Sequence, residues 1–248
     1  MNVTIVAPGG GLAPEGVGSA FLVERCYLEK SELILMEAGH NTYPLVIEAL
    51  RKMGKVITDL TAIVTTHDNL GYVGCLEKIR DTWLRQTDYG EILKVSTARN
   101  TIAYGKWKGD HGWFRSFYSS VPGVECFYVP HTSMQKGYAV FEKKRGRVRK
   151  LVYPGNVGSL CLPRSLSVNG GLATSINGAN LLLLGAMARN NPKYLNFPQA
   201  INLAKRVGAQ KTGLVYIGDR YMEVASKAIT PYDPRQFFIA KKGMVITI

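Results

Sequence analysis

The stretch from Leu60 to Trp83 constrains the fold of this chain more than any other. Leu60-Thr61-Ala62-Ile63-Val64-Thr65 has the length and composition of a buried strand. A helix is expected from Leu70 to about Trp83, because Val73, Leu76, Ile79 and Trp83 recur on one face. Between them lies the polar segment Thr66-His67-Asp68-Asn69. A polar segment at the carboxyl end of a buried strand, opening a helix, is where layered α/β folds place ligands. The first turn of such a helix also favours anions.

Strands and single helices alternate along the rest of the chain. Strands are expected at Val3–Val6, Ser19–Val23, Leu33–Met36, Ile92–Val95, Val124–Val129, Asn180–Leu184, Gly213–Ile217, Phe237–Ala240 and Met244–Ile248. A helix begins at an Asn41 or Thr42 cap, carries Pro44 in its first turn and ends at Gly54. Another is capped by Asn196, with Pro198 in its first turn, and ends at Gly208. Tyr138–Glu142 and Val148–Tyr153 form a hairpin around Lys144-Arg145-Gly146. With no repeat or polar linker, residues 1–248 read as one domain. Two mixed sheets covered by helices fit this order better than a barrel of regular βα units.

Composition limits the classes. Hydrophobic residues are 46% and charged residues 20% of the chain, which excludes disordered, collagenous and coiled-coil classes. No apolar run reaches the ~20 residues of a membrane span, and the N-terminus shows no signal peptide. Cys26, Cys75, Cys126 and Cys161 are scattered, without a C-x-x-C pair. That fits reduced thiols in a cytoplasmic protein. Lys and Arg number 31 against 18 Asp and Glu, a net charge of +13. Such a surplus points to an anionic partner.

In order along the chain, five pieces resemble the metallo-β-lactamase superfamily, and within it the ribonuclease Z branch that includes phage anti-Pycsar phosphodiesterases. Leu33-Ile34-Leu35-Met36-Glu37-Ala38-Gly39 is similar to the strand ending in Asp-x-Gly. Thr66-His67 and Val73-Gly74-Cys75-Leu76 match the two ends of the His-x-His-x-Asp-His segment and its glycines. Val129-Pro130-His131-Thr132 resembles the strand ending in Pro-His. Leu151-Val152-Tyr153-Pro154-Gly155-Asn156 and Gly213-Leu214-Val215-Tyr216-Ile217-Gly218-Asp219 resemble the strands ending in Gly-Asp and in His-Tyr-Gly-Asp. The resemblance implies a metallo-β-lactamase-like αββα sandwich, two mixed sheets with outer helices, and a homodimer.

Departures from the motif bear on function. The family's two zinc ions need imidazoles and carboxylates converging at ~2.0–2.2 Å. His67 and His131 keep two of the positions. Asn69, Gly71, Tyr72, Asn156 and Tyr216 replace the others, and Asp68 falls at a position that is not a ligand. An amide oxygen is a poor zinc ligand beside imidazole. The expectation is a protein without metal or other cofactor, with a neutral, degenerate pocket of His67, Asp68, Asn69, Tyr72, His131, Asn156, Tyr216 and Asp219. A site rebuilt from His40, Asp68, His111 or Asp219 is the alternative.

Two further surfaces stand out. From Lys143 to Lys150, six of eight residues are basic: Lys143, Lys144, Arg145, Arg147, Arg149 and Lys150. Such a cluster suits phosphates of a nucleotide or nucleic acid, or protects an exposed strand edge from aggregation. Tyr104 to Arg115 interleaves aromatics with cations, which suits base stacking, a small satellite core or a dimer contact. Gly9-Gly10-Gly11 lacks the Lys-Ser/Thr of a phosphate loop and reads as a turn. The functional expectation is a metal-free protein that binds a phosphate-bearing ligand or a protein partner, in one form a phage protein sequestering a nucleotide signal. The alternatives are a divergent metal-dependent phosphodiesterase or nuclease, and an assembly subunit.

Overall fold

A computed structural model describes residues 1–9, 16–67, 70–87, 93–96, 121–129, 135–158, 171–188 and 194–248. The first half contains β1 (Asn2–Ala7), β2 (Ala20–Tyr27), β3 (Lys30–Met36), α1 (Tyr43–Lys52), β4 (Leu60–Val64), α2 (Leu70–Val73), α3 (Leu76–Arg85) and β5 (Lys94–Ser96). The second contains β6 (Val124–Val129), β7 (Gln135–Lys144), β8 (Arg147–Tyr153), α4 (Gly171–Ile176), β9 (Leu181–Met187), β10 (Leu195–Asn196), α5 (Phe197–Arg206), β11 (Lys211–Val215), α6 (Met222–Ile229), β12 (Phe237–Ile239) and β13 (Val245–Thr247).

One sheet runs β13-β1-β2-β3-β4-β5 and the other β6-β7-β8-β9-β11-β12, with β10 at the end of β9. A single parallel bridge, Tyr27 to Lys143, joins them at one corner. Side-chain alternation along the strands builds the layers. On β3, Leu33 and Leu35 pack with Val46 and Leu50 of α1 and Ile79 and Trp83 of α3. Ile34 and Met36 face the other way, into a core shared with Tyr138, Val140, Leu151 and Leu183 of the second sheet. Leu182 and Leu184 of β9 pack against Leu172 and Ile176 of α4, Ala200 and Ile201 of α5 and Ala225 of α6. Three apolar layers between four structural ones make the expected αββα sandwich. Among the described residues no helix is long and apolar enough to cross a membrane.

Local chemistry explains the helix ends. Gly54 and Gly208 both take positive φ, and each closes a Schellman motif. Gly54 N–H donates to Arg51 O at 3.1 Å and Lys55 N–H to Leu50 O at 2.8 Å; Gly208 and Ala209 do the same for α5. Asn196 caps α5 in a reciprocal pair with Gln199, both bonds 2.9 Å. Thr42 holds the N-cap position of α1 without capping it by its side chain; its hydroxyl donates to Gly39 O at 2.6 Å instead. The helix expected from Leu70 to Trp83 is two helices. Ala38 N–H donates to Tyr72 O and Cys75 N–H to Ala38 O, both at 2.7 Å. These bonds to the exit of β3 divert the backbone that a continuous helix would use. Helices α4 and α6 were not legible in the apolar periodicity.

Every parallel strand that carries a site residue delivers it at the same pole. Glu37 follows β3, His67 follows β4, Asn156 follows β8 and Tyr216 follows β11. The turn between β7 and β8 lies at the amino end of β8, the opposite pole.

Candidate functional site

At the carboxyl pole the polar residues form a connected, buried cluster. Glu37 sits at φ 65° beyond β3, with its backbone N–H bonded to Val64 O at 2.8 Å. Its side chain is fully buried. Its Oε1 accepts from Thr66 N at 3.1 Å and from Thr66 Oγ1 at 2.5 Å. Thr66 Oγ1 in turn lies 2.6 Å from His67 Nδ1. The His67 ring stacks on Tyr72, with centroids 4.1 Å apart and planes at 13°. The Tyr72 hydroxyl accepts from Asn156 Nδ2 at 2.5 Å. The Tyr216 ring meets Tyr72 edge-on at 5.8 Å.

Two glycines make the cluster possible. A Cβ on Gly155, at φ 68°, would lie 2.8 Å from Thr66 Oγ1 and 3.1 Å from His67 Cε1. A Cβ on Gly185 would lie 2.5 Å from the Tyr216 ring and 2.8 Å from Asn156 Oδ1. The two glycines therefore leave the room that the Thr66, His67, Asn156 and Tyr216 side chains occupy. Tyr216 itself is held at φ 66°, a strained region for an aromatic residue, by its N–H bond to Pro8 O at 2.8 Å.

Burial sets the charge state. It pushes the Glu37 carboxyl up to about 8, despite the hydrogen bonds from Thr66 that favour the anion. It also drives the Tyr72 and Tyr153 phenols well above their ordinary range, an effect to which the nearby Glu37 adds. At neutral pH this pole therefore holds neutral phenols, an amide and a carboxylic acid that is mostly protonated.

Of the expected pocket, the structure brings His67, Tyr72, Asn156 and Tyr216 together. Asp219 is exposed in the turn before α6 and stands apart from that buried cluster. His40 is also exposed. Asp68, Asn69, His111, His131, the aromatic stretch from Tyr104 to Arg115, and Cys161 lie outside the described residues. Thr66, the link to His67, and Tyr153 and Gly155 lie in the sequence motifs but without an assigned role there; Gly185 lies outside every motif. Glu37 is visible in the sequence only as the end of a strand motif. Among the described residues no three of His, Cys, Asp and Glu converge. Among the described residues, one imidazole, phenols and an amide that bonds Tyr72 do not make the ligand set of a dizinc centre.

The six cations of the basic hairpin divide into two groups. Arg149 bonds Glu142 at 3.2 Å, and Lys150 Nζ donates to Asn177 O at 3.0 Å. Glu142 also takes the N-terminal ammonium at 2.7 Å and the Cys26 N–H at 3.0 Å. Burial opposes its ionisation, but these partners outweigh it and hold the carboxyl below its ordinary value. Lys143, Lys144, Arg145 and Arg147 are exposed and make no ion pair among the described residues. Arg145 and Gly146 have φ of 49° and 72°, the geometry of a two-residue hairpin turn. The tip and the buried cluster are separated by the length of β8, roughly 20 Å at ~3.3 Å per residue.

No family model matches the chain, and no curated protein matches its sequence. Solved structures do match. The metallo-β-lactamase fold protein YhfI from Bacillus subtilis superposes with a TM-score of 0.72 at 13% identity, covering 99% of both chains. Human tRNase Z, short form, gives 0.70 at 18% identity, over 100% of this chain and 99% of that one. A diphosphatase from the PhnP family gives 0.69 at 14%, over 100% and 97%. This full-length likeness and the αββα layering agree: the chain has the metallo-β-lactamase fold.

Proposed function

We propose that this protein is a pseudoenzyme that acts by binding a phosphate-bearing ligand, a nucleotide or nucleic acid, on its basic surface. The observation that carries the reading is the 2.5 Å bond from Asn156 Nδ2 to the Tyr72 hydroxyl, beneath the stacked His67 ring. By the sequence resemblance these are the positions of a bridging aspartate and two histidines. Here Asn156 and Tyr72 are bonded to each other, and His67 stacks on Tyr72. On this reading the described residues supply no ligand set for a pair of metal ions, and without the pair a site has neither its Lewis acid nor its hydroxide at neutral pH. The net charge of +13 and the four exposed hairpin cations support an anionic ligand.

Metal content and turnover of the purified full chain test this reading. The expected result is below about a tenth of an equivalent of zinc, manganese or iron, no hydrolysis of cyclic nucleotides or RNA, and salt-sensitive retention of nucleotide or nucleic acid. Stoichiometric metal with turnover overturns it. That outcome would establish the second reading, a divergent metal-dependent phosphodiesterase or nuclease, which two similar structures favour by being a tRNase Z and a diphosphatase. Within the binding reading, sequestration of a nucleotide signal by a viral protein in immune evasion, a cytoplasmic setting, an acidic protein partner, an assembly role and a homodimer remain proposals that rest on the sequence resemblance and the charge. Sedimentation of the purified protein tests the dimer.

A further inference from the structure

The basic hairpin and the buried cluster lie at opposite poles, so a ligand gripped by one is not presented to the other. We propose that the hairpin tip is itself the binding site and that its ligand is double-stranded DNA, held by its phosphates. This rests on the reading of a phosphate-bearing ligand and names the class.

The tip is a two-stranded ribbon. Beyond Glu142 and Arg149, its pairs are Lys143 with Val148 and Lys144 with Arg147. Its outer neighbours stop short: β2 reaches it only through Tyr27 at Lys143, and β9 pairs β8 only at Leu151 and Val152. The base is fixed by Glu142, Arg149 and Lys150, while the four cations of the tip are not committed to a carboxylate among the described residues.

Three features select the ligand. First, the tip is convex. A mononucleotide needs a concave site that buries most of its surface, whereas a polyanion needs only a row of cations. Second, the pleat puts Lys143 on one face of the ribbon and Lys144 and Arg147 on the other, with Arg145 at the turn. Cations on both faces can meet phosphates on both walls of a groove. The major groove of B-form DNA, about 12 Å wide, admits a two-stranded ribbon, whereas the A-form major groove is deep and narrow. Third, Lys143 to Lys150 contains no aromatic residue, and Tyr27, which pairs with Lys143, packs its ring against Arg25 and Gly123, so the tip lacks the stacking platform that single strands require. The exposed Val148, 57% accessible, supplies an apolar contact of the kind made to thymine methyl groups. The neighbouring β2–β3 turn adds exposed Lys30 against one carboxylate, Glu29.

The test is fluorescence anisotropy of a labelled 20-base-pair DNA duplex with the full chain across a salt series. The variants are K143Q/K144Q/R145Q/R147Q and, as a control at exposed cations beyond β12, K241Q/K242Q, each checked for an unchanged melting transition. The wild type should bind the duplex with a steep salt dependence. The fourfold variant should bind at least tenfold more weakly at low salt. Its log–log salt slope should shrink by roughly 3 to 4, at about 0.9 for each phosphate that is no longer neutralised. K241Q/K242Q should bind close to wild type, and millimolar cyclic nucleotide should not displace the duplex. Unchanged duplex binding by the fourfold variant overturns the proposal, as does equal or tighter binding of an RNA duplex. If the protein binds cyclic nucleotide but no duplex, this inference fails while the phosphate reading survives. If it binds neither, both fail.

Discussion

Glu37 shows how one residue sets the behaviour of the carboxyl pole. Native Glu37 keeps its proton up to about pH 8, whereas an unfolded glutamate releases it near 4.5. Between those values the native state binds more protons than the unfolded state. Stability from this group is therefore complete below about pH 4.5, and it falls as pH rises through 8, by up to about 1.4 kcal/mol per pH unit. Tyr72 and Tyr153, which face the carboxyl, stay neutral through that window because burial raises both. Urea unfolding of wild type and Glu37→Gln from pH 5 to pH 8.5 should show the wild-type advantage shrinking with pH. Parallel curves would mean that Glu37 ionises normally. Gly185 makes a steric point at the same scale. Gly185→Ala places a methyl against the Tyr216 ring and Asn156 Oδ1 and should cost about 1–3 kcal/mol by overpacking. A denaturation midpoint equal to wild type would show that the cluster yields.

At the scale of elements, the β7–β8 hairpin owes its register to its turn. Gly146 takes φ 72°, and a Cβ there would meet nothing within 4 Å. Gly146→Ala should therefore cost about 1 kcal/mol through the backbone alone, which chemical denaturation measures. It leaves all four tip cations in place, so duplex affinity in a still-folded variant should change little. The segment from Leu70 to Trp83 behaves differently. Its apolar spacing matches the burial, since Leu76, Ile79 and Trp83 are all buried. Its continuity is broken, because Ala38, far away in sequence, takes over backbone bonds at Tyr72 and Cys75. Periodicity reports which face is covered; it is silent on competing partners for the backbone.

For the molecule as a whole, the two sheets are joined by a shared apolar core and little backbone pairing, and Arg25 adds a set of polar bonds across them. Its guanidinium, fully buried, bonds Glu32 at 2.8 and 2.5 Å, Gly123 O at 2.6 Å, Phe141 O at 2.8 Å, and Pro122 O. One side chain on β2 thus satisfies carbonyls on and before the second sheet. Lysine offers one nitrogen where these acceptors need a planar fork. Arg25→Lys should therefore destabilise the fold by about 1–3 kcal/mol, since it keeps a cation beside half-buried Glu32 but leaves buried carbonyls without a donor. A melting temperature equal to that of the wild type would contradict this. The buried bridge lies close to the basic hairpin, so the same variant should also loosen hydrogen-exchange protection in β7 and β8 before it affects β4.

The sequence by itself determined the layered α/β class, most strands, both glycine-terminated helices and the capped α5. These depend on local chemistry: alternation of apolar residues, turn glycines and cap residues. Tertiary structure alone decided how those pieces act together. It placed Asn156 against Tyr72, eighty-four residues apart, so that four of the expected pocket residues join one buried cluster. It left Asp219 exposed, and it divided six neighbouring cations into two that anchor a ribbon and four that project from it. It also set that ribbon and the cluster at opposite ends of the strands. Local sequence fixes which way a strand alternates and where a turn falls. Which strand ends meet, which charges are neutralised and which carboxyl keeps its proton depend on contacts between residues distant along the chain.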